Sequence, residues 1–144
     1  MPRPIVSKAS TQWDGDLFTG SGTTALETSK AATFDVNWKA RAEEAGATTS
    51  PEELLAAAHS TCYTMQFSNM LKENGTAPTH LETTADVTFE AGVGITGIVL
   101  VVKGQVEGIS TEDFVKIADQ AKDQCPVSQA LAGVKDITVD ATLV

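Results

Sequence analysis

Basic residues are scarce in this chain. Ten Lys and Arg stand against 19 Asp and Glu, leaving a formal net charge of −9. A surface of that sign excludes a nucleic-acid backbone as partner, because such binding needs clustered Lys and Arg. Long apolar runs are missing too. None approaches the ~20 residues of a membrane span, and the opening MPRPIVSKAS has no apolar centre of the kind a secretory signal carries. A cytoplasmic protein with no membrane partner is therefore expected. Cysteine is almost absent, with only Cys62 and Cys125 present. The cytosol keeps thiols reduced, so the pair does not read as a structural staple. It reads as buried and inert, metal-bound or redox-active. No internal repeat, linker or low-complexity segment divides the 144 residues, and residues 1–144 are read as one domain.

What the chain does have is a long helix signal at Ser50–Gly75, SPEELLAAAHSTCYTMQFSNMLKENG. Ser50 suits the N-cap, Pro51 the first helical position, and Glu53 the third position of a capping box. Gly75 stands where a left-handed C-terminal residue belongs, with Pro78 just beyond. Apolar residues between these ends are not confined to one stripe, which marks a central helix. Cys62 lies in its middle.

Strands flank this helix. Ser7–Trp13 is followed by Asp14-Gly15, a tight-turn signal, with Leu17–Thr24 as the returning strand and a short strand at Thr33–Trp38. Lys39–Thr49 reads as an extra helical turn or a mobile loop, and it carries Arg41. Leu81–Phe89 alternates apolar and polar residues, as a half-buried strand does. Ile95–Val106 is apolar on both faces and reads as an interior strand. Ser110 caps a second helix with an apolar stripe of Phe114, Ile117, Ala118 and Ala121. Pro126–Ala132 is a short helix with Cys125 at its N-terminus, and Ile137–Leu143 a closing strand. The order predicts an α+β fold with a largely antiparallel sheet.

The surroundings of Cys62 leave several chemistries open. Burial alone disfavours a thiolate, so a reactive Cys62 needs a cation or hydrogen-bond donors from elsewhere. His59 and Arg41 are the candidates. A zinc set of His59, Cys62, His80 and Cys125 lacks the paired spacing of structural zinc sites. A Cys–His hydrolase with His59 as base lacks an orienting third residue, and His59 reads better as a satisfied core histidine. A two-thiol peroxidase is chemically richer. A Cys62 thiolate would cleave a peroxide to leave a sulfenic acid, and Cys125 would condense with it. A nearby Arg, held by a carboxylate, would stabilise the thiolate.

The stretch TSPEELLAAAHSTC at Thr49–Cys62 and the later CPVSQAL at Cys125–Leu131 resemble the OsmC branch of the OsmC/Ohr family of organic hydroperoxide reductases. Trp13-Asp14-Gly15-Asp16, Ala85-Asp86-Val87 and Gly94-Ile95-Thr96-Gly97-Ile98 are similar to that family as well. The resemblance implies an OsmC-like fold, with an antiparallel sheet wrapped around the Cys62 helix in an intertwined, swapped homodimer. It implies Cys62 as peroxidatic nucleophile, Cys125 as resolving thiol, and Arg41 and Glu52 as the activating pair. It further implies organic hydroperoxides and hydrogen peroxide as substrates and a dithiol or lipoyl-type reductant, with no cofactor and no metal. Geometry favours the dimer. Glu52 and Cys62 are ten residues apart, ~15 Å along one helix, so a second chain can bring its own Glu52 and Arg41 to the thiol more easily. The rival reading is a non-catalytic, stress-related module that binds an apolar ligand and keeps both thiols inert.

Overall fold

The computed structural model describes residues 2–144. Contacts group the chain into two compact units, Met1–Pro51 and Glu52–Val144.

In the first unit β1 (Ala9–Asp14), β2 (Ser21–Leu26) and β3 (Thr33–Val36) form an antiparallel sheet in that order. The turn after β1 is wider than the Asp14-Gly15 signal predicts. Asp16 carboxylate oxygen accepts from the Thr19 N–H at 2.7 Å and the Thr19 hydroxyl at 2.9 Å. Trp13 Nε1 donates to the carbonyls of Gly15 and Asp16. Those bonds hold the expected strand start, Leu17–Thr19, in a loop, so β2 begins only at Ser21. The strand expected to reach Trp38 ends at Val36, because Asn37 caps a helix instead. Its Oδ1 accepts from the Ala40 N–H at 2.8 Å, and α1 (Trp38–Ala42) follows. This is the extra helical turn, and it carries Arg41.

The second unit is built on α2 (Pro51–Glu73), 23 residues or roughly 35 Å long. Its C-terminal end is a Schellman motif. The Gly75 N–H bonds the Lys72 carbonyl, the Thr76 N–H bonds the Leu71 carbonyl, and Gly75 takes φ +84°. β4 (His80–Glu90) and β5 (Gly94–Gln105) then pair antiparallel. Ser110 Oγ accepts from the Asp113 N–H and starts α3 (Thr111–Gln124), and α4 (Pro126–Ala130) follows at once. β6 (Asp136–Leu143) closes the unit.

β6 pairs with β5 in parallel, giving the order β4-β5-β6. The sheet of this unit is thus mixed rather than antiparallel throughout. The reason is topological: α3 and α4 carry the chain back past the sheet before β6 starts, and such a crossover returns a strand in the same direction. β5 is central, as its composition suggests, but its two faces differ. Ile98, Leu100 and Val102 are buried, whereas Val99 on the other face is 43% exposed. Leu100 and Val102 of that face meet Tyr63, Phe67 and Leu71 of α2 and Phe114, Ala118 and Ala121 of α3 in one core. Gly104 permits the closest approach. A Cβ there would lie 2.8 Å from the Phe114 ring, so this strand position takes no larger side chain without displacing that ring.

Candidate active site

Cys62 sits in the middle of α2, half-buried, with a free thiol. It packs against the core that contains Cys125. Cys125 is fully buried, also free, and is at once the C-cap of α3 and the N-cap of α4. Its own backbone is spoken for: its N–H bonds the Ala121 carbonyl at 2.9 Å, and its carbonyl accepts from the Gln129 N–H at 3.0 Å. Pro126 follows at the first helical position, where a missing N–H costs nothing. The Cys125–Val127 segment is therefore a corner between two helices, and it delivers two groups to Cys62. One is the Val127 N–H, which faces the Cys62 sulfur. The other is the Cys125 thiol.

These surroundings pull the Cys62 acidity in opposite directions. Burial pushes the thiol up from its ordinary value, the Val127 N–H draws it partly back, and the neighbouring Cys125 thiol pushes it up again. The net direction is upward, so the second unit by itself favours the thiol form. Next to Cys62, the Tyr63 hydroxyl donates to the Ala118 carbonyl at 2.9 Å and ties α2 to α3. Burial above all, with the Asp119 and Cys125 side chains nearby, holds that phenol protonated.

His59, one turn before Cys62, is fully buried. Its Nε2 lies 2.6 Å from Ser128 Oγ, and its Nδ1 has no hydrogen-bond partner. A lone pair without a donor costs less than a buried N–H without an acceptor. Nε2 therefore carries the proton and donates to Ser128. The ring is directed at α4 rather than at Cys62, which removes it as a base for a Cys–His hydrolase. The expectation of a satisfied core histidine holds for one nitrogen and fails for the other. The zinc set does not assemble: His59 is engaged with Ser128, His80 is exposed at the start of β4, and among the described residues no three His, Cys, Asp or Glu side chains converge as metal ligands.

Burial lowers the His59 pKa from 6.5. As pH falls below about 6.5, the unfolded chain takes up a proton at this position that the folded chain refuses. Stability is complete above that value and declines below it, by at most about 1.4 kcal/mol per pH unit, until the folded ring protonates. Denaturant midpoints measured from about pH 7.5 to pH 5 should fall more steeply in the natural protein than in His59→Gln. Equal slopes would show that His59 titrates alike in both states.

Arg41, on α1, belongs to the first unit and is half-exposed. Glu52, in the first turn of α2, belongs to the second and is 6% exposed. Of the four residues read from the sequence, the second unit brings Cys62 and Cys125 together. Two contributors were not singled out from sequence, the Val127 N–H and the Ser128 hydroxyl. Both lie within the CPVSQAL stretch, and Ser128 follows Cys125 by one short turn, a spacing that puts it on the same side.

The family model described as OsmC-like protein matches residues 43–140. The chain is 41% identical over 143 residues to Peroxiredoxin OsmC of Escherichia coli (strain K12), covering 96% of this chain and 97% of that protein. It is 31% identical over 104 residues to organic hydroperoxide resistance protein OhrA of Bacillus subtilis (strain 168), covering 69% and 72%. Among solved structures, an organic hydroperoxide resistance protein OsmC from Legionella pneumophila superposes with a TM-score of 0.72 at 18% identity, over 98% of this chain and 99% of that one. An OsmC-like protein from Mycoplasma pneumoniae gives 0.72 at 17% identity, over 99% of both. At those identities the likeness is one of fold.

Proposed function

The chain belongs to the OsmC-like protein family, and on that premise we propose that it is a thiol peroxidase reducing organic hydroperoxides, and hydrogen peroxide, to alcohol or water. The observation that carries the reading is the Cys62 sulfur meeting both the Val127 N–H and the Cys125 thiol. The relatives named peroxiredoxin and organic hydroperoxide resistance protein support the substrate class.

In the first step the Cys62 thiolate attacks the outer peroxide oxygen. The O–O bond breaks, the alkoxide leaves and takes a proton as ROH, and Cys62 becomes a sulfenic acid. In the second step Cys125 attacks the Cys62 sulfur, a disulfide forms and water departs. An external dithiol, lipoyl-type in chemistry, reduces the disulfide to restore both thiols. The first step needs a thiolate, and the burial around Cys62 opposes one. Arg41 is assigned the missing cation, with Glu52 holding its guanidinium. Among the described residues no helix is long and apolar enough to cross a membrane, and the reductant chemistry fits the cytoplasm.

The working unit is a homodimer. Ala57, Ala58, Thr61 and Met65 form an exposed face of α2 at helical spacing, with Met65 68% exposed. A groove of about 330 Å³ beside it is lined by Ser60, Thr61, Thr64, Met65 and Thr83. Small residues flanking one large apolar side chain suit close helix approach by a second copy.

One equivalent of an alkyl or aryl hydroperoxide should convert the reduced protein to a Cys62–Cys125 disulfide, located by mass mapping after alkylation. A protein that consumes the peroxide without forming that bond would need another resolving group. A protein that leaves both thiols alkylatable would be the inert binding module instead.

A further inference from the structure

The short helix α4 has little to hold it in place by itself. Five residues are too few to sustain a helix, and its N-cap residue, Cys125, makes no side-chain capping bond. Yet this segment must present both the Val127 N–H and the Cys125 thiol to Cys62. A link from α2 to α4 lies one turn away from the thiols on both elements. His59 precedes Cys62 by three residues, Ser128 follows Cys125 by three, and the 2.6 Å bond between them is fully enclosed. His59 has no other hydrogen-bonded partner, since its Nδ1 makes none. Ser128 is a small side chain on a short helix, and the bond fixes which way that helix turns.

We infer that His59 and Ser128 are a positioning pair that pins the Cys125–Val127 corner against Cys62, so that the resolving thiol stays within reach of the oxidised sulfur. Neither side chain touches the peroxide. The pair acts on the second step, in which the Cys125 sulfur bonds to the Cys62 sulfur and the sulfenic oxygen leaves as water. It competes there with a second peroxide, which would carry Cys62 on to sulfinic acid. Loosening the corner slows closure, which needs the Cys125 sulfur itself in place, more than attack on the first peroxide, which loses only the partial support of the Val127 N–H for the thiolate. The inference rests on the peroxidase reading for its biological sense, but the geometry it asserts can be probed without peroxide.

The test compares Ser128→Ala and Ser128→Thr with the natural protein. With cumene hydroperoxide, Ser128→Ala should keep first-step thiol consumption within about twofold. It should form the Cys62–Cys125 disulfide roughly tenfold more slowly, a factor typical of losing one buried hydrogen bond. Sulfinic acid at Cys62, read by mass, should rise correspondingly. Ser128→Thr keeps the hydroxyl and should restore closure; a merely structural defect would not discriminate between these outcomes. In parallel, the three proteins are oxidised with diamide, which closes the dithiol with no peroxide involved, and the same order of rates is expected. Closure in Ser128→Ala as fast as in the natural protein, with either oxidant, would overturn the pair's role. If no protein reacts with hydroperoxide but diamide still gives the tenfold difference, the positioning stands and the peroxidase reading fails. His59→Ala should reproduce Ser128→Ala, and His59→Gln, which can still donate to Ser128, should lie between.

Discussion

Cys62→Ser removes hydroperoxide turnover, with kcat/KM falling by a factor on the order of 10³ or more, as expected when a nucleophile is lost. What changes is the reacting atom rather than the shape. Serine oxygen at this position would be protonated at any working pH, and an alcohol does not attack peroxide oxygen to give a stable oxidised product. Sulfur does both, because it ionises far more readily and accepts oxygen as a sulfenic acid. The fold should hardly notice. Cys62 is half-buried on the edge of the core, and serine oxygen can still accept the Val127 N–H. Dithiol-coupled peroxide consumption measures the loss, and a melting curve close to that of the natural protein shows that it is chemical. Undiminished activity in Cys62→Ser would remove Cys62 from the reaction and leave the apolar-ligand module as the better reading.

Phe114→Ala should lower the stability by about 3–5 kcal/mol, a large part of what a domain of this size possesses. Phe114 is fully buried at the start of α3. Its ring centroid lies 5.1 Å from Phe67, which in turn lies 5.8 Å from Tyr63, both in tilted contact. The floor beneath the ring is Gly104. That glycine has no side chain to move into the hole. Its strand is bonded on both sides, to β4 and to β6, so the backbone resists collapse as well. The cavity stays open, which places the loss toward the upper end of the range for such truncations. Thermal unfolding should drop by roughly 10–15 °C, and Phe114→Leu should lose much less. A shift of only a degree or two would mean that the core repacks around Gly104. Tyr63 adjoins Cys62 in sequence and shares this cluster, so activity measured well below the transition should survive better than stability.

Most elements could be read from the chain because their causes are local. Pro51 and Gly75 mark the limits of α2 through what each backbone can and cannot do. Ser110 and Asp113 mark the start of α3 through one short bond. The alternation at Leu81–Phe89 and Ile137–Leu143 produced strands at those places. Where a side chain intervened two or three residues away, boundaries moved: Asp16 delayed β2 and Asn37 ended β3. The two cysteines and their family motifs were equally visible, since a thiol in a long apolar helix and a thiol before proline are facts of composition.

Other features depended on residues far apart in the chain meeting in space. The parallel pairing of β5 with β6 follows from the path of two helices between them, which strand periodicity cannot encode. The Val127 N–H at Cys62 is a backbone group, identical in every residue but proline, and only its place at the α3–α4 corner lets it favour the thiolate. His59 and Ser128, 69 positions apart, look like ordinary helix residues until packing encloses them together. The sequence determined which residues were equipped for thiol chemistry. Tertiary packing decided which of their neighbours could steer it, because burial and a bond between distant residues arise only once the core has closed.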